Sequence, residues 1–299
     1  MAVDSQWGNT SLLLPLSENL LDARGHTITA SGGIALSSAV GTPFGAGNAL
    51  YCDGSNDVLT STSADFTLGT GDCSIQFWLY PVTGGHGASY ARLFAIGAFG
   101  VSGSLYIASS GMSDPMKFYF EYYNSGYSQL INEVATTITS DAWHFFQLDR
   151  VAGVWSSYID GALYSTQSTS INLTQTTMAL GANTAGTLPF KGYFFDVRVT
   201  KGAYRTSHAS PSEPFPRPSI SGVTRDGPGS LASKIVRAFK RSDGSLAGSA
   251  VSNAGTGAYT IYPTDYSEHF VVEWDESVDP LVDGGSGENC FIYDRVIPG

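Results

Sequence analysis

The chain has 299 residues, including 35 glycines, 16 tyrosines and 16 phenylalanines, and only 14% of its residues are charged. Many turn residues and aromatics, with few amphipathic helical stretches, favour an all-β protein with one large and one smaller domain. The formal net charge of −11 argues against nucleic acid and anionic membranes as partners, because both attract basic surfaces.

The three cysteines, Cys52, Cys73 and Cys290, are too few and too widely spaced to form a disulfide framework. Each lies in an apolar, strand-like context, which predicts buried free thiols and folding in a reducing cytoplasm. The first residues lack the basic and apolar segments of a signal peptide, and no apolar run reaches the length of a membrane span. We therefore expect no membrane insertion.

The first part of the chain is predicted to form short strands. Apolar runs occur at residues 11–16, 27–29 and 34–36. A strand at residues 49–52 breaks at Asp53-Gly54 and resumes after Asp57. In residues 66–81, Cys73, Ile75, Phe77 and Leu79 alternate with Ser74, Gln76, Trp78 and Tyr80, which places the first set on the core face of a strand ending at Pro81.

Further strands are predicted at residues 93–96, 105–108, 117–123 and 178–180. Between them, Trp143–Tyr164 indicates an antiparallel meander. Two extended segments flank Ala152-Gly153, and a third follows Asp160-Gly161. An Asp-Gly pair between apolar residues is a strong signal for a type I′ hairpin turn, because both central residues need positive φ.

The order of these motifs resembles the concanavalin A-like, laminin G-like jelly-roll family. The resemblance covers residues 7–215 and depends on three further features. These are the Phe-Trp strand ending at Pro81, the Trp143-His144 strand ending at Arg150, and the segment Phe190-x-Gly192 that continues to Asp196 and Arg198. Phe195 stands where the family usually has Asp, and Cys52 where it often has Phe. The resemblance implies a jelly-roll β-sandwich.

The predicted domains are a jelly-roll domain at residues 1–213, a proline-rich linker at 214–218 and a smaller β-sandwich at 219–299. The last region alternates short strands with turn signals and resembles the carboxypeptidase-regulatory or transthyretin-like Ig fold. Tyr204-Arg205 and the segment 211–215 resemble the end of jelly-roll domains in bacteriophage virion proteins.

No catalytic residue set is predicted. Glucanases of this fold need two carboxylates across the sugar, and Glu121 and Glu133 stand alone in the first domain. No cofactor is required by any motif, but relatives of this fold often bind Ca²⁺ at the rim of a sheet. The residues for such a site are Asp53, Asn56, Asp57 and Asp196. The alternative is that Asp53 and Asp57 cap backbone N–H groups in a turn.

Glycan binding is the other candidate chemistry, because sugar faces stack on exposed aromatic rings. The candidates from the whole domain are Trp78, Tyr80, Tyr90, Tyr119, Tyr122, Tyr123, Tyr127 and Trp155, and ordinary sheet packing is the alternative for each. The cluster Tyr122–Tyr127 is predicted to be an exposed aromatic loop, and with Trp155 it forms the predicted glycan site.

These features and the phage resemblance predict a non-enzymatic structural virion protein of a tailed bacteriophage, such as a head decoration, fibre or tail accessory protein. It would be located in the virion, bind capsid or tail proteins, form a homo-oligomer and contact a host-surface glycan. A carbohydrate-binding adhesin is the alternative, and a polysaccharide-cleaving enzyme is the third hypothesis.

Overall fold

The computed structural model describes residues 4–83, 90–109, 115–124, 127–224, 234–275 and 291–299, with side chains undescribed at 127–135, 274–275 and 291–295. The chain forms two compact units, one of residues 8–215 and one of residues 1–7 with 216–299. Within the described ranges, helical structure is limited to 3-10 turns at Trp7–Asn9 and Ala64–Phe66. No helix in these ranges could cross a membrane.

The unit Gly8–Phe215 contains fifteen strands. They are β1 Thr10–Leu14, β2 Thr29–Ser31, β3 Ala35–Ser37, β4 Ala49–Asp53, β5 Val58–Thr62, β6 Cys73–Pro81, β7 Arg92–Ile96, β8 Leu105–Ser109, β9 Lys117–Tyr123, β10 Tyr127–Ala135, β11 His144–Val151, β12 Val154–Ile159, β13 Ala162–Ser168, β14 Thr177–Leu180 and β15 Lys191–Lys201.

These strands form two antiparallel sheets. The eight-stranded sheet has the order β13-β12-β11-β6-β15-β4-β3, with β1 also paired to β15. The seven-stranded sheet has the order β10-β9-β8-β7-β14-β5-β2. Seven of the thirteen neighbouring pairs join strands that are not consecutive, such as β6 with β15 and β7 with β14, as in a jelly roll rather than a simple meander.

The core lies between the two sheets. Cys73, Ile75, Phe77 and Leu79 of β6 are fully buried in the same apolar cluster as Leu93 and Ile96 of β7 and Leu105 and Ile107 of β8. The alternation predicted for β6 is therefore confirmed, and the domain is a jelly-roll β-sandwich.

The predicted turns of the central meander are also confirmed. Asp160 has φ 49° and Gly161 has φ 85°, so both central residues of the β12–β13 turn have the positive φ of a type I′ hairpin. Ala152 and Gly153 have φ 48° and 82° between β11 and β12. The Asp160 carboxylate accepts hydrogen bonds from Phe145 N and His144 Nδ1, which ties the turn to β11.

One expectation for this unit is wrong. Tyr122 and Tyr123 do not belong to an exposed loop but end strand β9, and Tyr127 begins β10, which pairs with β9 in a hairpin. Aromatic residues fit a pleated strand as well as a loop, so composition alone did not separate the two.

The second unit contains six strands, β16 Ile220–Val223, β17 Lys234–Lys240, β18 Leu246–Val251, β19 Ala258–Ile261, β20 His269–Asp275 and β21 Phe291–Val296. β16 pairs with β19, and the other four form an antiparallel sheet in the order β18-β17-β20-β21. Its apolar core includes Ile220, Val236, Ala238, Ile261 and Val271. The Ig-like topology of this region stays a prediction.

Residues from the start of the chain complete this second unit. Trp7 Nε1 donates a hydrogen bond to Thr264 O at 3.1 Å, and the Trp7 ring packs edge-on against Tyr266 at 5.8 Å. Trp7 is only 5% exposed. The segment Asp4–Trp7 therefore contributes a buried aromatic anchor to a unit whose other residues lie more than 200 positions later.

Candidate functional site

The outer side of the seven-stranded sheet, away from the core, carries a group of aromatic and charged side chains that we call the aromatic face. Its position follows from the strand alternation, which sends Tyr119, Glu121 and Tyr123 of β9 to the side opposite the core residues Phe118 and Phe120. Its members are Tyr90, Arg92, Phe99, Tyr106, Tyr119, Glu121 and Tyr123.

A buried ion pair lies at the centre of the aromatic face. Arg92 Nη2 is 2.9 Å from Glu121 Oε2, and both side chains are about as buried as the core. The Arg92 guanidinium also stacks near the Tyr106 ring, with Cζ 5.1 Å from the ring centroid. Arg92 Nε and Nη1 find no hydrogen-bond partner among the described residues. Buried donors of this kind are costly unless water or a ligand satisfies them.

An aromatic pair flanks this ion pair on each side along β9. Tyr119 contacts Tyr90 with ring centroids 5.7 Å apart, and Tyr123 contacts Phe99 at 5.2 Å. Tyr119 and Tyr123 are four residues apart on the strand, which corresponds to about 14 Å. Tyr90 is 50% exposed and Phe99 is 53% exposed, so the row offers solvent-facing rings at both ends.

Phe99 is presented by a loop that is fixed at both ends. Gly97 N donates to Thr177 O, and Gly103 N donates to Tyr123 O, each at 2.7 Å. Gly97 has φ 89°, and a Cβ there would lie 2.4 Å from the Ser104 hydroxyl, so only glycine fits. The exposed ring is therefore held before any ligand arrives, which lowers the entropy cost of binding.

Strand geometry separates the predicted glycan residues. Tyr123 belongs to the aromatic face, whereas Tyr122 packs on the core side of β9. The Tyr127 side chain lies outside the described residues. Trp155 is 0% exposed and its ring lies 4.7 Å from Phe120 in the core, so its prediction as a stacking surface is wrong. A tryptophan next to exposed Val154 on β12 alternates into the core.

Trp155 instead supports a buried arginine. Arg150 Cζ lies 4.9 Å from the Trp155 ring centroid. Arg150 donates to the carbonyl oxygens of Leu68, Gly69, Gly71 and Ile171 at 2.6 to 3.2 Å. Burial lowers the pKa of Arg150 from its ordinary value. The arginine that ends the family motif thus fixes the loops at one end of the sandwich.

The four predicted calcium ligands do not form one site. Asp57 accepts backbone hydrogen bonds from Gly33 N at 2.5 Å and Asp53 N at 2.7 Å, as the turn-capping alternative requires. Asn56 shares this turn and is exposed. Asp196 lies away from this turn. Asp53 pairs with Lys191 of β15, and Asp196 is five residues further along that strand, about 16 Å from Lys191. Its Oδ2 accepts a hydrogen bond from Phe215 N.

Burial raises the pKa of Asp57 above its ordinary value. Among the described residues, no three His, Cys, Asp or Glu side chains gather in a way that could hold a metal ion. The residues present do not fit a calcium site of the predicted composition.

A buried polar network covers the outer side of the eight-stranded sheet, where the segment 202–215 packs back on it. The Asp149 carboxylate accepts hydrogen bonds from Ser74 Oγ and from Gln147 Nε2, and lies 3.0 Å from His208 Nε2. The His208 ring stacks on Tyr158 at 3.7 Å. Burial raises the pKa of Asp149 even though these hydrogen bonds oppose the shift. The network fixes the segment that follows β15.

The thiols of Cys52 and Cys73 are free and buried, as predicted, whereas Cys290 lies outside the described residues. Burial raises the pKa of Cys73 to about 12 and that of Cys52 well above its ordinary value. Neither thiol is therefore a nucleophile at neutral pH.

Sequence reasoning named Tyr90, Tyr119 and Tyr123 as aromatic candidates but missed Arg92, Phe99 and the pairing of Glu121. A signal for the pair was present. Arg92 opens an apolar strand and Glu121 interrupts an aromatic one. Opposite charges inside apolar strands are seldom buried unless they are paired.

Structural comparisons give the same fold with low sequence identity. Domain 4 of AbnA, a GH43 extracellular arabinanase from Geobacillus stearothermophilus solved with arabinotriose, is 16% identical with a TM-score of 0.50. The alignment covers 65% of this chain and 93% of that one. The receptor-binding domain of botulinum neurotoxin mosaic serotype C/D is 13% identical with a TM-score of 0.51. That alignment covers 68% of this chain and about half, 49%, of the toxin chain.

A third structure, described as a receptor binding domain, is 13% identical with a TM-score of 0.51, covering 98% of this chain and 69% of the other. No curated protein sequence matches the chain significantly. The family described as the concanavalin A-like lectin/glucanases superfamily (Laminin_G_3) matches residues 53–208. This match covers more than half of the chain and includes strands β5 to β15, which belong to both sheets of the sandwich. The chain therefore belongs to the concanavalin A-like lectin/glucanases superfamily.

Proposed function

We propose that the Gly8–Phe215 domain is a non-catalytic carbohydrate-binding domain that mediates adhesion through the aromatic face. The observation that carries this proposal is the pair of half-exposed rings, Tyr90 and Phe99, at the two ends of a row with the Arg92–Glu121 ion pair between them. The row is longer than one sugar ring, so it suits an oligosaccharide better than a monosaccharide.

The chemistry of the row supports a sugar ligand. Apolar sugar faces stack on aromatic rings, and the amphipathic tyrosine ring adds a hydroxyl that forms hydrogen bonds at the edge. Sites of this kind combine aromatic walls with a small number of placed polar groups. Here the Arg92 guanidinium packs against the Tyr106 ring, and the hydrogen bonds of the loop 97–103 position Phe99.

The same geometry argues against hydrolysis on this face. Glycoside hydrolysis uses two carboxylates about 5 to 9.5 Å apart, one of which gives or takes a proton. Glu121 is buried in an ion pair with Arg92, which suits a structural role better than proton transfer. One similar structure was solved with arabinotriose, and we extend oligosaccharide binding to this chain as part of the proposal.

A glycan array with the full-length chain tests this function. We expect binding to at least one oligosaccharide, weakened about three- to tenfold by Phe99→Ala and by Tyr90→Ala, since ring contacts contribute about 0.5 to 1.5 kcal/mol. The matched control is Leu163→Ala, which truncates a side chain that is 56% exposed on the other sheet. An array that stays silent, or equal losses in the control, would refute the proposal.

We further propose that the protein acts on a particle, as a head, fibre or tail component of a tailed bacteriophage that binds capsid or tail proteins as a homo-oligomer. The free buried thiols of Cys52 and Cys73 support assembly in a reducing cytoplasm, and Tyr204-Arg205 and the segment 211–215 resemble the end of jelly-roll domains in phage virion proteins. Immunogold labelling of purified particles tests this. Gold on heads indicates decoration, gold on tails indicates receptor binding, and unlabelled particles would overturn the virion proposal.

A further inference from the structure

The outer side of the eight-stranded sheet carries a second aromatic arrangement, distinct from the aromatic face. One rung of the sheet places Tyr51 of β4 opposite Tyr193 of β15, and Tyr193 opposite Tyr80 of β6. Trp143, which immediately precedes β11, extends the rung on the far side of Tyr80. The four ring centroids follow one another at 4.8, 5.8 and 5.4 Å. We call these four residues the aromatic rung.

The rings of the aromatic rung do not lie flat side by side. Tyr80 meets Tyr193 at an interplanar angle of 90° and Trp143 at 64°, both edge to face, whereas Tyr51 and Tyr193 are tilted by 40°. Tyr51, Tyr80 and Trp143 are partly exposed. An edge-to-face row is a poor platform for a flat sugar ring, but aromatic faces also attract compact cationic groups.

One carboxylate, that of Asp141, lies beside the Tyr80–Trp143 end of the rung, because Asp141 N donates a hydrogen bond to Pro81 O at 2.7 Å. Asp141 is exposed and lies two residues before Trp143, and its carboxylate receives hydrogen bonds from the Thr83 N–H and hydroxyl. Burial, and next the charge of Asp141, raise the pKa of Tyr80. Lys191 lies two residues before Tyr193 on β15, between β4 and β6, and pairs with Asp53 of β4 in the register.

We propose that the Tyr80–Trp143 end of the aromatic rung, together with Asp141, binds an arginine side chain of a partner protein. A guanidinium is attracted to aromatic faces and pairs with a carboxylate through its planar fork of donors. Arginine fits better than lysine because it stacks on tilted rings as well as carrying charge. The net charge of −11 adds a long-range attraction for a basic partner.

This inference is independent of the proposed glycan function, since it concerns the other sheet and a cationic ligand. Two variants distinguish glycan binding from arginine binding. Phe99→Ala should weaken glycan binding and leave arginine binding unchanged, whereas Tyr80→Leu should weaken arginine binding and leave glycan binding unchanged.

The experiment is calorimetric titration of the full-length chain with an acetylated, amidated tetra-arginine peptide. We expect Tyr80→Leu and Asp141→Asn each to weaken binding about three- to tenfold, and Tyr80→Phe to keep it, because the ring and not the hydroxyl carries the contact. Tetra-lysine and spermidine serve as cation controls and should bind more weakly than tetra-arginine.

Three results would overturn the inference. One is no heat of binding with tetra-arginine. The second is equal affinity for spermidine, which would indicate general attraction to an acidic protein. The third is an unchanged affinity in Tyr80→Leu with a native circular dichroism spectrum. If Tyr80→Leu fails to fold, Asp141→Asn decides the question, because its Oδ1 can still accept from Thr83 N and its Nδ2 can donate to the Thr83 hydroxyl.

Discussion

Replacing Arg150 by methionine should destabilise the jelly-roll domain by about 3 to 5 kcal/mol. Two of the carbonyl oxygens that Arg150 satisfies belong to the buried residues Leu68 and Ile171, and each would cost about 1 to 3 kcal/mol if left without a donor. Loss of the stacked contact with Trp155 adds about 1 to 2 kcal/mol. The relief from burying a guanidinium offsets part of this sum.

Arg150→Lys separates charge from geometry. A lysine keeps the cation but cannot direct its donors to four carbonyl oxygens around the edge of a guanidinium plane. We therefore expect about half of the methionine effect. Lys191→Met is the control, because Lys191 is a partly exposed cation at the start of β15 and its loss should change stability by less than about 0.5 kcal/mol.

Urea unfolding of the full-length variants, followed by tryptophan fluorescence, measures these differences. A parallel thermal scan should show a midpoint about 10 °C lower for Arg150→Met, since a domain of this size loses roughly 2 to 4 °C per kcal/mol. A loss below about 1 kcal/mol would refute the reasoning, because the loops at Leu68 and Ile171 would then hold their positions without the arginine.

Three other perturbations follow from contacts in the same domain. The hydrogen bond that the His26 ring donates to the Asp22 carboxylate raises the pKa of His26 above its ordinary value of 6.5. The stabilisation is therefore complete below pH 6.5 and is lost as the pH rises through the folded-state pKa. In urea unfolding, His26→Gln should therefore cost more near about pH 6 than near about pH 9, and equal costs would contradict this sign. Glu121→Gln should cost about 3 to 5 kcal/mol by leaving Arg92 buried without its counter-charge, and adding Arg92→Met should recover most of it in a double-mutant cycle. Gly192→Ala should lower the free energy of unfolding by more than about 1 kcal/mol, because φ at Gly192 is 151° and an added Cβ would lie 2.4 Å from a carbonyl oxygen of β6. An unchanged urea midpoint would contradict this, because it would mean that β15 and β6 can move apart at this point without loss of stability.

The sequence predicted the jelly-roll domain well where alternation and turn chemistry act locally. Cys73 to Leu79 point to the core because a strand has a period of two, and Asp160-Gly161 turns because both residues accept positive φ. These are properties of a few adjacent residues. No partner across the sandwich is needed to decide them.

The candidate site was less predictable because it depends on residues that meet only after folding. Arg92 and Glu121 are 29 positions apart and lie on strands separated by β8, so no spacing rule joins them. Phe99 is exposed because glycines on both sides fix its loop. Trp155 was predicted to bind sugar because tryptophan rings often do, but it lies at a position of β12 whose side chain points into the core. The alternation along the strand therefore decided its burial.

The contact of Trp7 with Thr264 and Tyr266 has a consequence for the order of folding. In chain order, the entire jelly-roll domain is inserted between Trp7 and the rest of the unit that Trp7 completes. A ribosome makes the tryptophan first and its partners more than 250 residues later. Bringing Trp7 to residues 264 and 266 closes a long loop, and the entropic cost of this step is smaller if the jelly-roll domain within the loop has already folded. The jelly-roll domain would thus fold first, and Trp7 would join its own unit as one of the last steps.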